Sequence, residues 1–367
     1  MDDVLIIGGG LIGMLTAREL AHEGLSVSII ERGRVGGESS WAGGGILSPL
    51  YPWRQPEAIT RLSLWGQRRY PVLIEELMAE SGVDAEWEHT GLLILDSDNG
   101  GGAHNWSRAF GVRMESIGAE EVRELEPSLG RFPGHALWLP EVAHLRNPRL
   151  IKALRGSLEA RGVTFHEETT VIGWRQENGK VLGVDTDRGE MSAPQVVVAS
   201  GAWSGELLAG TGVHAPVAPV RGQMVVFRAT PGRVRRTVLH NDHYVIPRRD
   251  GRVLAGSTLE ESGFDKSVTP EGERELVRVA TELVPALAHC PVELHWAGLR
   301  PGSPEGVPLI GPHPALEGVF INTGHFRNGV VMGPASARLM ADWVVGRPPF
   351  LDPAPYLPHP GGTPAQK

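Results

Sequence analysis

The chain has 367 residues, 41% of them hydrophobic and 21% charged, as expected of a globular protein of two or three domains whose core needs no disulfide framework. Its single cysteine, Cys290, excludes an internal disulfide and fits a reducing compartment, while the net charge of −8 lacks the basic footprint of a nucleic-acid binder. No stretch is apolar for long enough to span a membrane and the Asp2-Asp3 start is no signal peptide, so the expectation is a cytoplasmic protein without membrane insertion.

Val4 to Ile7 is a short, wholly apolar run ending at Gly8, the pattern of a strand buried on both faces of a parallel sheet. Residues 11–23 read as a helix closed by Gly24, and Ser26 to Ile30 as a second strand ending at Glu31, which completes a βαβ unit. Helical spacing of Leu62, Trp65, Tyr70, Leu73, Ile74 and Leu77 marks a helix over 61–81. Residues 86–145 mix short strands with glycine and proline punctuation. A helix over 149–161 precedes strands near 163–167, 169–175 and 181–186, and Val196 to Ala199 form another buried strand.

Residues 217–260 change character and alternate like antiparallel strands at Gln223 to Phe227, Tyr244 to Pro247 and Val253 to Gly256. A helix over 270–288, a strand over Val292 to Trp296 and a last helix over 334–345 follow. The proline-rich segment 351–367 reads as a loosely ordered tail. Parallel-sheet segments recur at the start, middle and end of the chain. This interleaving predicts an α/β Rossmann-like nucleotide-binding domain with an inserted α+β domain on an antiparallel sheet. The first is expected to comprise residues 1–85, 146–216 and 297–350, and the second 86–145 and 217–296.

Gly8-Gly9-Gly10-Leu11-Ile12-Gly13 is a G-x-G-x-x-G motif between a strand and a helix. Gly8 permits the tight turn, Gly10 lets backbone approach a pyrophosphate, and Gly13 lets helix and strand pack closely. The helix N-terminus offers free amides to phosphate, and Glu31 is placed to accept adenosine ribose hydroxyls. That carboxylate disfavours NADP and leaves FAD or NAD. The segment 36–46, G-G-E-S-S-W-A-G-G-G-I, favours FAD, because small residues let backbone lie flat on a large planar ligand; Ser39 and Ser40 are candidate contacts to its phosphate or ribitol oxygens.

Several stretches together resemble the D-amino acid oxidase superfamily of flavoproteins, most closely its bacterial glycine oxidases of thiamine biosynthesis. They are the glycine start, segment 36–47, V-V-A-S-G-A-W-S at 197–204, H-Y-V-I-P-R at 243–248, W-A-G-L-R-P-G at 296–302 and G-H-F-R-N-G at 324–329. The resemblance implies the glutathione-reductase type of FAD domain and a non-covalent flavin. Sarcosine-oxidase relatives attach theirs through a cysteine in the region matching 297–302, which has none here.

It further implies a cofactor site of Gly8, Gly10, Leu11, Ile12, Gly13, Glu31, Arg32, Ser39, Ser40, Gly43, Gly44, Gly45, Ile46, Val171, Ser200, Gly201 and Trp203, continued by Arg300, His325, Arg327, Asn328, Gly329 and Val330. Arg300 stands in the position of the family's carboxylate-binding arginine, a planar fork suited to bidentate pairing, and Tyr244 in that of its carboxylate-binding tyrosine. Arg327 is a further candidate on the substrate side. Ile46 and Tyr51 are candidate pocket walls, the latter in the bulky loop Ser48 to Arg54. The helix after the 324–330 loop would aim its positive end at the flavin.

The implied reaction is oxidative deamination of a small amino acid: glycine first, then sarcosine and small D-amino acids. Hydride leaves Cα of a neutral amine for the flavin without a protein base, giving an imine that hydrolyses to oxo acid and ammonia. Dioxygen reoxidises the flavin and yields hydrogen peroxide. The alternatives are a D-amino acid dehydrogenase passing electrons to a quinone, a secondary-amine oxidase, and a flavin-fold binding protein without catalysis. No metal site is expected, since His240 and His243 have no matching ligand cluster, and no G-x-S-x-G elbow marks a hydrolase. A homo-oligomer is compatible with the sequence.

Overall fold

The computed structural model describes residues 2–96 and 101–360. Six strands form one sheet in the spatial order Leu309–Pro312, Val319–Thr323, Gln195–Val198, Val4–Ile7, Val27–Ile30, Thr164–His166. All neighbours are parallel except the first pair. Every side chain of Val4–Ile7 and Val27–Ile30 is buried, which is why these strands read as continuous apolar runs. Helices α1 (Leu11–His22), α2 (Glu57–Ser81), α3 (Asn147–Ala160) and, at the end, Gly329–Val344 pack around this sheet in a core that includes Met14, Leu62, Leu154 and Met340.

A second sheet has eight strands, in the order Val292–Gly302, Ala218–Arg228, Arg252–Gly256, His243–Pro247, Thr237–His240, Leu92–Ile94, His135–Leu139, Glu115–Gly118. It is antiparallel except where Thr237–His240 runs parallel to Leu92–Ile94. Helix α4 (Pro270–Leu283) covers one face with Leu276, Ala280 and Leu283 against Val225, Phe227 and Ala255. Thr269 caps it through its side-chain oxygen, which accepts from the Gly272 amide.

Three expectations from sequence are revised. The strand over 292–296 continues to Gly302, paired along its length with Ala218–Arg228; at the sheet edge, Pro301 lies opposite Pro219, where no ladder N–H is demanded of it. Helix α5 (Gly329–Val344) begins five residues before the expected start at Pro334, which sits inside it. The carbonyl of Val330, deprived of its i+4 donor by that proline, accepts instead from the hydroxyl of the buried Tyr70 at 2.6 Å. The segment 351–360 is docked, not loose. Tyr356 is 1% exposed and donates to the Ala58 carbonyl at 2.8 Å, and His359–Pro360 pairs with Val213–His214. Burying one aromatic ring offsets the ordering of a short proline-rich segment, whose backbone is already stiff. Residues 361–367 of the expected tail lie outside the described residues. No helix among the described residues is long and apolar enough to cross a membrane.

Candidate active site

A cavity of about 580 Å³ runs between the two sheets, from the turn after Val4–Ile7 to Arg300. At one end lies the glycine turn. Gly8 has φ +115°, and a side chain there would lie 2.4 Å from the Ala199 carbonyl oxygen; one at Gly13 would meet the Gly8 carbonyl oxygen at 1.9 Å. Only glycine lets the strand, turn and helix approach this closely. Helix α1 makes its first hydrogen bond from Met14 to Gly10, so the Ile12 and Gly13 amides precede its ladder. Glu31 lines the cavity and accepts from the Gly9 and Gly33 amides, both at 2.9 Å, which fixes its carboxylate while leaving further lone pairs free.

Ser39, Ser40, Ala42, Gly43 and Gly44 line the cavity, and their segment is held from several sides. Ser40 Oγ accepts from the Leu11 amide at 2.8 Å, and Asn147 Nδ2 donates to the Ser40 carbonyl at 2.8 Å. Trp296 Nε1 donates to the Ala42 carbonyl at 3.0 Å, and Arg248 donates to that of Gly44. Gly298 completes the fit, since a side chain there would stand 2.6 Å from the Ala42 methyl. Trp203 walls the nucleotide end, with the Arg32 guanidinium 3.6 Å from its ring centroid and Phe264 stacked on it at 5.4 Å.

At the other end, Arg300 and Tyr244 face the cavity from neighbouring parts of the eight-stranded sheet. Arg300 lies against Gly222, where a Cβ would be 2.0 Å from Nη1. Its Nη1 donates to the Arg221 and Thr258 carbonyls at 3.3 and 3.2 Å, and its Nη2 to Ser257 Oγ at 2.8 Å. No described carboxylate pairs with it, and enclosure lowers its pKa without removing the charge. Among the described residues the Tyr244 hydroxyl has one weak partner, Met224 Sδ at 3.9 Å. The turn into α5 adds His325, Arg327, Gly329 and Val330 to the wall. Burial pushes the His325 imidazole down to about 3, so the ring is neutral; Nε2 pairs with Ser336 Oγ at 2.9 Å, and Nδ1 has no partner among the described residues. Asn322 Oδ1, on the same wall, is likewise buried and without a partner among the described residues.

Of the residues singled out from sequence, the cavity is also lined by Gly10, Leu11, Ile12, Ser39, Ser40, Gly43, Val171, Ser200 and Gly201. Gly13 and Gly45 stand behind its wall, Gly45 with φ +79° against the Leu145 carbonyl, and Asn328 is buried in the turn before α5. The structure does not bring Ile46 or Tyr51 to the cavity. Tyr51 is 3% exposed among Leu92, Ile94 and Leu137, its hydroxyl bonded to Asp96 and its ring under the Arg54 guanidinium, while Ile46 packs beside it. Bulk in the loop serves the core, a choice composition alone does not reveal. Sequence reasoning missed Met224 and Gly222 on the wall, and Ser257 and Arg248 behind it. The strand register that faces Gly222 with Gly298 and Met224 with Trp296 exposes the first two, and Ser257 and Arg248 emerge only from their tertiary contacts with Arg300 and Gly44.

Residues 3–343 match the family described as FAD dependent oxidoreductase. The chain belongs to that family. FAD is its cofactor, and the cavity fits such a group: glycine cradle, small-residue wall and two unpaired buried polar atoms all border it. A glycine oxidase of Pseudomonas aeruginosa is 49% identical over 97% of this chain and 98% of its own. The crystal structure of glycine oxidase from Geobacillus kaustophilus superposes with a TM-score of 0.92 at 31% identity, covering 97% of this chain and 98% of that one. That of iminodiacetate oxidase from Chelativorans sp. gives 0.87 at 29% identity, with the same coverage. The sequence-based expectation of a flavin-dependent oxidoreductase on a mixed α/β fold is thereby met.

Proposed function

We propose that this FAD-dependent oxidoreductase oxidises glycine and comparably small amino acids, releasing the imine that becomes an oxo acid and ammonia. The observation that carries the reading is Arg300, a cation without an acid partner among the described residues, facing a cavity whose other end is a dinucleotide cradle. FAD, when bound, supplies two-electron redox chemistry toward the C–N bond of an amine, with dioxygen as terminal acceptor.

The protein's contribution is placement. The Arg300 fork holds the substrate carboxylate, and the Tyr244 hydroxyl donates to it from the adjoining wall. With the carboxylate held there and the amine in one position, an L-substrate would exchange hydrogen and side chain at the reacting face. The amino end of α5, beginning at Gly329, contributes a positive dipole end on the cavity wall, suited to negative charge gained by the cofactor. Neutral His325 adds no competing charge there. Met224 and Tyr244 line the cavity from the sheet that carries Arg300, and their bulk there favours small side chains.

The likeness to an iminodiacetate oxidase supports secondary amines as a second substrate class. Purified protein is to be assayed for peroxide with glycine, sarcosine, iminodiacetate, D-alanine, D-phenylalanine and L-alanine. Glycine or sarcosine should give the highest kcat/KM, D-phenylalanine a small fraction of it, and L-alanine none. D-phenylalanine turned over as well as glycine would make the enzyme a broad D-amino acid oxidase. Anaerobic bleaching of flavin by glycine without aerobic peroxide would make it a dehydrogenase, and no bleaching by any of these amines would refute the reading.

A further inference from the structure

Arg248 is a buried arginine that the chemistry above does not use. It follows directly on strand His243–Pro247, which carries Tyr244, and it has no described carboxylate within ion-pair distance. A buried guanidinium is costly unless its donors are occupied. Here Nη1 donates to the Leu145 carbonyl at 2.9 Å and to Nδ1 of His144 at 3.1 Å, and Nη2 donates to the Gly44 carbonyl at 2.8 Å. Burial and the facing guanidinium hold His144 well below the usual histidine range, so its ring is a neutral acceptor. Burial and the nearby Arg146 lower Arg248 itself to about 10, which leaves it cationic at neutral pH.

These acceptors lie on two separate segments. Gly44 belongs to the cavity wall. Its bare Cα is covered by Tyr244: a Cβ there would be 3.2 Å from both Cε2 and the hydroxyl of that ring. Leu145 is tied to the neighbouring Gly45, whose carbonyl accepts from the Leu145 amide at 3.0 Å. Gly44 and Tyr244 are therefore adjoining parts of one cavity wall, and the Arg248 fork clamps the Gly44 backbone to the chain bearing the tyrosine. An ammonium, being a single point, cannot span the same acceptors in the same geometry.

We propose that Arg248 is a positioning residue for amine oxidation, bracing the Gly44 and Leu145 carbonyls so that the Tyr244 hydroxyl keeps a fixed place in the cavity wall beside Gly44. The inference rests on the reading of Tyr244 as a substrate-carboxylate contact.

The test is a double-mutant cycle of Arg248→Lys and Tyr244→Phe on the holoenzyme, with Arg248→Ala as a chemical-rescue variant. Tyr244→Phe alone should lower kcat/KM for glycine about tenfold. In the Arg248→Lys background it should cost less than about twofold, because the hydroxyl is already misplaced. Arg248→Lys should raise KM more than it lowers kcat. Guanidinium chloride, and not equimolar sodium chloride, should restore part of the Arg248→Ala activity; should that variant fail to fold, the lysine cycle decides alone. Losses that simply multiply across the cycle would overturn the proposal. A wild-type enzyme that retains FAD and turns over no amine would defeat the functional reading instead. The brace is then read from the flavin, where Arg248→Lys must shift the visible absorption or FAD affinity, and unchanged values overturn it.

Discussion

Five N–H donors project from the Arg300 guanidinium, and the protein occupies part of that set with two backbone carbonyls and one serine hydroxyl. Among the described residues these three are its hydrogen-bond acceptors, which leaves two of the five N–H donors for pairing with a carboxylate. Arg300→Ala should lower kcat/KM for glycine by about 2–5 kcal/mol of transition-state binding and leave FAD content unchanged. Lysine should recover only part, and near-wild-type turnover by the alanine variant would place the carboxylate elsewhere. A second residue-scale expectation concerns acid stability. His325 is held at about 3 in the folded protein, against about 6.5 in an unfolded chain. The unfolded state therefore binds the extra proton. Stability from this group is complete above pH 6.5 and falls by about 1.4 kcal/mol per pH unit below it, down to about pH 3. His144, also depressed by burial, acts in the same direction. Urea unfolding at pH 7.5 and 5.5 should show this loss, and His325→Gln should shrink it; an unchanged pH dependence in that variant would assign the acid limb to other groups.

Between the elements, the segment from Ser257 to Thr269 links both ends of the cavity. Ser257 and Thr258 hold the Arg300 guanidinium. Glu260 and Asp265 pair with Arg221 of strand Ala218–Arg228. Beyond them Phe264 stacks on Trp203 and Lys266 bridges Glu38 at 3.0 Å, crossing to the nucleotide side. The exposed Lys266 pair is worth little, whereas an aromatic pair contributes about 0.5–1.5 kcal/mol. Phe264→Ala should therefore raise the Kd for FAD about two- to tenfold, measured by flavin fluorescence on titrating apoprotein, with kcat at saturating FAD unchanged. Equal affinities would mean that Trp203 is held by Arg32 alone. The element scale also shows where periodicity misleads. Pro334 reads as a helix start because proline is common there, and no sequence pattern announces that Tyr70, far away in the chain, would satisfy the carbonyl it frees.

At the scale of the whole molecule, the cofactor cavity draws its walls from residues spread between Ile7 and Val330, and none of them is a cysteine. Cys290 packs beside the core under α4, away from that lining. FAD should accordingly leave with the small-molecule fraction when the protein is denatured and filtered, one flavin per chain; yellow colour retained on the polypeptide would contradict this. The sequence by itself determined the βαβ start, the glycine turn and Glu31, because a buried parallel strand and a close helix approach restrict residue choice locally. It also marked Arg300 and Tyr244 through short motifs whose resemblance to the D-amino acid oxidase superfamily is specific. Only the tertiary structure decided that Tyr51 and Ile46 turn into the core, that the 351–360 segment docks, and that Arg248 and Ser257 stand behind the site. Those outcomes depend on which acceptors and cavities distant segments bring together. A tyrosine or an arginine has the same local pattern whether its polar group meets substrate, Asp96 or a backbone carbonyl.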